Sequence, residues 1–71
     1  MVGAGGSGRP SGPGDVYFEF TQLGGQMRVA AIDAATGIEV IVIAPLTASQ
    51  VHMQNLALAK LRRRLSRNAG Q

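Results

Sequence analysis

The stretch Val16-Tyr17-Phe18-Glu19-Phe20-Thr21-Gln22-Leu23-Gly24-Gly25-Gln26-Met27-Arg28-Val29-Ala30-Ala31-Ile32-Asp33 decides the fold. Two runs rich in β-branched and aromatic side chains flank a pair of glycines. Such runs favour extended backbone, and a Gly-Gly pair supplies the positive φ angles of a two-residue hairpin turn. With Gly24 and Gly25 as that turn, Leu23 stands opposite Gln26, Phe20 opposite Val29 and Phe18 opposite Ala31.

Working outward, Asp33-Ala34-Ala35-Thr36-Gly37 reads as a second turn, because Asp bonds nearby amides and Gly accepts a left-handed backbone. The third strand then covers residues 38–44 and stops at Pro45, which has no N–H for a ladder. Ala31 faces Val40 and Val29 faces Val42 in this register. The expected sheet is an antiparallel meander of residues 16–23, 26–33 and 38–44.

Period-two alternation sorts the sheet into two faces. One carries Val16, Phe18, Phe20, Met27, Val29, Ala31, Val40, Val42 and Ala44, with Gln22 as its polar exception. That is the core face. The other carries Tyr17, Glu19, Thr21, Arg28, Ala30, Ile32, Glu39, Ile41 and Ile43.

Residues 47–67 change character to Ala, Leu, Gln, Lys and Arg, which favour helix. Thr47-Ala48-Ser49-Gln50 fits a capping box, with Leu46 and Val51 as a hydrophobic staple and Ser49 as the alternative cap. At 100° per residue, Val51, Ala57, Leu58, Leu61 and Leu65 share one side, with Met53 at its margin. A helix over about residues 48–66 is expected to lay this stripe on the core face. The fold class is α+β, in the order βββα.

The flanks differ in composition. Residues 1–14 hold six of the ten glycines and two of the three prolines, so they are expected to form a disordered leader. Residues 15–67 form the single expected domain, and 68–71 an expected frayed tail. Gly3-Ala4-Gly5-Gly6-Ser7-Gly8 spells a dinucleotide-binding loop, but no strand precedes it and no helix follows. It is read as low complexity. No stretch has the apolar length of a signal peptide or a membrane span, which points to a cytoplasmic protein.

The net charge of +3 hides a division. Residues 15–45 carry Asp15, Glu19, Asp33 and Glu39 against Arg28 alone, while 46–71 carry Lys60, Arg62, Arg63, Arg64 and Arg67 with no acidic residue. The basic cluster complements the negative helix end and could also contact nucleic-acid phosphates. Stacking platforms are lacking, since Tyr17 is the only aromatic outside the core face.

Catalytic chemistry finds little support. The chain has no cysteine, and its one histidine, His52, has no acidic neighbour on the helix, so no metal site is expected. Glu19 and Glu39 share a face with Arg28, which is read as cross-strand charge pairing rather than a carboxylate site. Thr47 and Ser49 are assigned to capping. No nucleophile–base pair and no cofactor loop follow, so the protein is not expected to be an enzyme and no cofactor is expected.

The runs Val16 to Gly24, Arg28 to Asp33 and Thr36-Gly37-Ile38-Glu39-Val40, continuing through Leu56-Ala57-Leu58 to Lys60-Leu61, resemble a family of short alphaproteobacterial proteins of unknown function. The resemblance implies a bacterial and cytoplasmic origin and carries no binding residues. Strand, Ala44-Pro45 and helix are also similar in order to the carbon-storage-regulator family of RNA-binding dimers. That family's N-terminal RNA-contacting pattern is absent here, and the likeness is one of arrangement.

One helix covers one side of a sheet, so two apolar surfaces are left over. Tyr17, Ala30, Ile32, Ile41 and Ile43 lie on the sheet face away from the helix, and Leu56 points off the helical stripe near Ala59; these are the expected dimer or partner residues. The expectation is a homodimeric structural or protein-interaction module, open to a protein partner. The alternative is an RNA- or DNA-binding dimer that uses Lys60, Arg62, Arg63, Arg64 and Arg67.

Overall fold

The computed structural model describes residues 15–69. Three strands, β1 (Val16–Leu23), β2 (Gln26–Asp33) and β3 (Glu39–Pro45), are followed by one helix, α1 (Gln50–Ala69). The sheet is an antiparallel meander in the order β1-β2-β3, and the architecture is βββα. The expected leader lies outside the described residues, as do residues 70 and 71 of the expected tail. The helix itself continues through Asn68 to Ala69.

Both turns set the register read from the sequence. Leu23 pairs with Gln26, Phe20 with Val29 and Phe18 with Ala31. Val29 then pairs with Val42, and Ala31 with Val40. The first turn needs only one left-handed residue: Gly24 has φ 58°, while Gly25 keeps an ordinary backbone. A glycine at the first turn position alone is the requirement of a type II′ hairpin.

The second turn is a compact polar network. Asp33 is buried, and its Oδ2 accepts from the Thr36 N–H at 3.0 Å and from the Thr36 hydroxyl at 2.7 Å. The same hydroxyl oxygen accepts from the Ile38 N–H at 3.1 Å. The Gly37 N–H donates to the Asp33 carbonyl at 2.7 Å, and Gly37 takes φ 76° to complete the reversal. A buried carboxylate is tolerated because backbone and hydroxyl donors replace its water.

The core joins Val29, Ala31, Val40 and Ala44 of the sheet to Met53, Ala57 and Leu61 of α1. Alanines on both partners let the helix approach closely. The helix packs on β2 and β3. A helix about 10 Å wide covers about two strands spaced roughly 4.8 Å apart. Val16, Phe18 and Phe20 on β1 are therefore only half-buried at the margin of the core.

The helix is rotated and begins later than the sequence suggests. Its buried stripe is Met53, Ala57 and Leu61, with Leu65 half-buried beyond them. Val51, expected in the stripe, is 65% exposed. The later start follows from the cap, which is Ser49. Ser49 Oγ accepts from the His52 N–H at 3.1 Å, and the Ser49 carbonyl accepts from the Met53 N–H at 3.0 Å. Thr47 and the Leu46/Val51 staple are not used, and Leu46 is exposed. With Ser49 as cap, Ala48 and Met53 occupy the staple positions, and both belong to the core.

Candidate functional site

The face of the sheet opposite α1 is the candidate site. Its side chains form three rows set by the strand register: Tyr17–Ile32–Glu39, Glu19–Ala30–Ile41 and Thr21–Arg28–Ile43. Among the described residues no second layer covers this face, because the one helix lies on the other side. Ile43 is 51% exposed, and Tyr17, Arg28, Ile32 and Ile41 are half-buried.

Two of the expected partner residues behave differently. Ala30 is fully buried, since its methyl is short and sits at the centre of the rows among longer neighbours. It forms the floor of the face. Leu56 is exposed on α1, which packs against the opposite side of the sheet, and so belongs to a second surface apart from Ile41 and Ile43. On β3, Val40 and Ala44 are buried towards the helix, while Ile43 faces outward and open.

The charges on the face are spread apart. Glu19 stands opposite Ala30, while Arg28 stands between Thr21 and Ile43, which makes the two diagonal neighbours. No ion pair joins them among the described residues, so the expected cross-strand pairing is not made. Glu39 belongs to the row of Tyr17 and Ile32. It lies two strands, about 10 Å, across from Glu19 and about 7 Å along the strands. That separation is too large for two carboxylates to share a proton or a metal ion.

The basic end of α1 divides as well. Lys60, Arg63 and Arg67, spaced i, i+3 and i+7, line an open groove with Leu56 and Ala59. Arg62 and Arg64 are exposed but outside that groove. The Lys60 Nζ donates to the carbonyl of Ile41 at 2.6 Å. This contact ties α1 to the backbone of β3, an edge strand of the sheet. Sequence reading missed this role, because the two residues are far apart in the chain and only packing brings them together.

His52 is exposed at the start of α1. Among the described residues no group of three or more His, Cys, Asp or Glu side chains could hold a metal ion. The Gly3–Gly8 spelling lies outside the described residues. No helix is long and apolar enough to cross a membrane.

No curated protein matches the chain, and no solved structure matches it. A family model does match, over residues 13–68, which takes in the whole sheet and nearly all of α1. The protein with the open sheet face described above therefore belongs to the domain of unknown function family DUF6898.

Proposed function

We propose that the protein is a homodimeric structural or protein-interaction module, assembled through the open face of its sheet. One observation carries this reading: Ile32, Ile41 and Ile43 are presented together on a face that no element covers among the described residues. Exposed aliphatic side chains on a contiguous sheet surface favour association, because pairing removes their apolar area from water. A domain this small also gains proportionally more from a partner than a large one does. The role is binding rather than catalysis, in the cytoplasm of an alphaproteobacterial cell.

Ile41→Asp and Ile43→Asp test it directly. Each places a carboxylate in the face without touching the helix side of the core. Sedimentation velocity should report a dimer for the parent chain and a monomer for both variants. An unchanged profile in the variants sinks the reading.

A second reading has its own support. Lys60, Arg63 and Arg67 share one groove on a helix without an acidic residue, which suits phosphate contacts to RNA or DNA. Replacing Arg63 and Arg67 together by Ala should then sharply weaken salt-sensitive binding in a fluorescence polarisation titration. Absence of binding by the parent chain at low salt removes it.

A further inference from the structure

We infer that the partner on the open face is a second copy whose strands cross those of the first at a steep angle, so that Arg28 of each copy meets Glu19 of the other. This rests on the homodimer reading above and assigns its geometry. A two-fold interface must be complementary to itself, which makes the pattern of the three rows a test of each possible stacking.

Four simple two-fold axes lie in the plane between two stacked sheets. An axis along the strands sets Glu19 against Ile41 and Arg28 against its own twin. An axis across the strands sets Arg28 against Ile32, Glu39 against Ile43 and Glu19 against its twin. One diagonal sets Arg28 against Ile41 and Glu19 against Ile32. Each of these three buries a charge against an aliphatic side chain or a like charge, which is costly.

The remaining diagonal runs through Thr21, Ala30 and Glu39, and it sorts the face correctly. Arg28 falls on Glu19 of the other copy, twice by symmetry. Ile41 falls on Ile32, and Tyr17 on Ile43. Rows roughly 7 Å apart along the strands and strands roughly 4.8 Å apart across them are similar enough for each match to lie within about 3 Å. Near-perpendicular stacking of this kind is one of the two established ways in which sheets pack. Ala30 sits on the axis, where its short side chain allows the two faces to close at their centre.

The charges also fit what the protomer leaves undone. Glu19 and Arg28 form no ion pair within one chain among the described residues. Crossing the two sheets supplies each with a partner at a site that stacking partly shields from water, where such pairs are worth more than on an open surface. Glu39 meets its own twin at the rim, so the arrangement carries one repulsive contact.

The experiment measures the dimer dissociation constant by sedimentation equilibrium for the full chain and for Glu19→Arg, Arg28→Glu and the double variant. Each single reversal should weaken the dimer roughly 10- to 100-fold, and the double reversal should restore most of it. Glu39→Gln should tighten it. Glu19 is exposed on an edge strand, so Glu19→Arg is expected to fold even where Arg28→Glu, on the central strand, does not. Far-UV circular dichroism of each variant checks this, and Glu39→Gln gives an independent reading. Single reversals that leave the dimer intact, or a double reversal that fails to restore it in folded protein, overturn the crossed arrangement. Loss of the dimer in Ile43→Asp alongside such a result would leave the homodimer reading standing. A parent chain that is monomeric throughout overturns both.

Discussion

Truncation of Leu61 to Ala tests which side of α1 holds the domain together. Leu61 is fully buried and, with Val29, is the largest side chain that is. The substitution removes about three carbons, worth about 2.4 kcal/mol at roughly 0.8 kcal/mol each. The cavity left behind adds to this, for a total of about 3 kcal/mol. Small domains hold roughly 0.05–0.15 kcal/mol per residue, so residues 15–69 hold about 3–8 kcal/mol in all. Leu61→Ala therefore consumes between a third and all of the stability. Val51→Ala is the matched control, because Val51 is 65% exposed and its truncation should cost under about 0.5 kcal/mol. Urea titrations followed by circular dichroism, at one fixed protein concentration, compare the two midpoints. The parent and Val51→Ala should unfold together, with Leu61→Ala far lower or already unfolded in buffer. Equal losses in the two variants would mean that α1 is turned so that Val51 faces the sheet, and the packing described above would be refuted.

Two further substitutions test the caps and turns. Ser49→Ala should cost about 1 kcal/mol by removing the oxygen that accepts from the His52 N–H, whereas Thr47→Ala should cost little; chemical denaturation separates them. Gly37→Ala should destabilise by about 1 kcal/mol, because an L side chain is strained at φ 76° although the space around it is open. Gly25→Ala has neither problem and should be neutral or slightly stabilising in the same assay.

The strand register was legible because the side-chain period of a strand is two and the turns are short. Gly24-Gly25 and Asp33 to Gly37 leave few alternatives, and a slip by one residue would turn Val29 and Ala31 out of the core. The helix was legible in kind and less so in phase. Thr47 and Ser49 both fit the cap, and Val51 and Met53 flank the apolar stripe on opposite sides, so a modest rotation of the helix on the sheet exposes one and buries the other. The candidate face was legible for Ile41 and Ile43, whose side follows from alternation alone. Leu56 was legible as a residue off the buried stripe, and its 44% exposure on α1 keeps it apart from the sheet face.

By itself the sequence determined the meander, its register, the two faces and the presence of one C-terminal helix, since these follow from local periodicity and turn chemistry. Only the tertiary structure decided that the helix lies over β2 and β3, that Ser49 caps it, and that Lys60 reaches the Ile41 carbonyl. The reason is one of range. Periodicity constrains neighbours along the chain, whereas the rotation and offset of a helix on a sheet depend on how Ala31, Ala44 and Ala57 let two surfaces close.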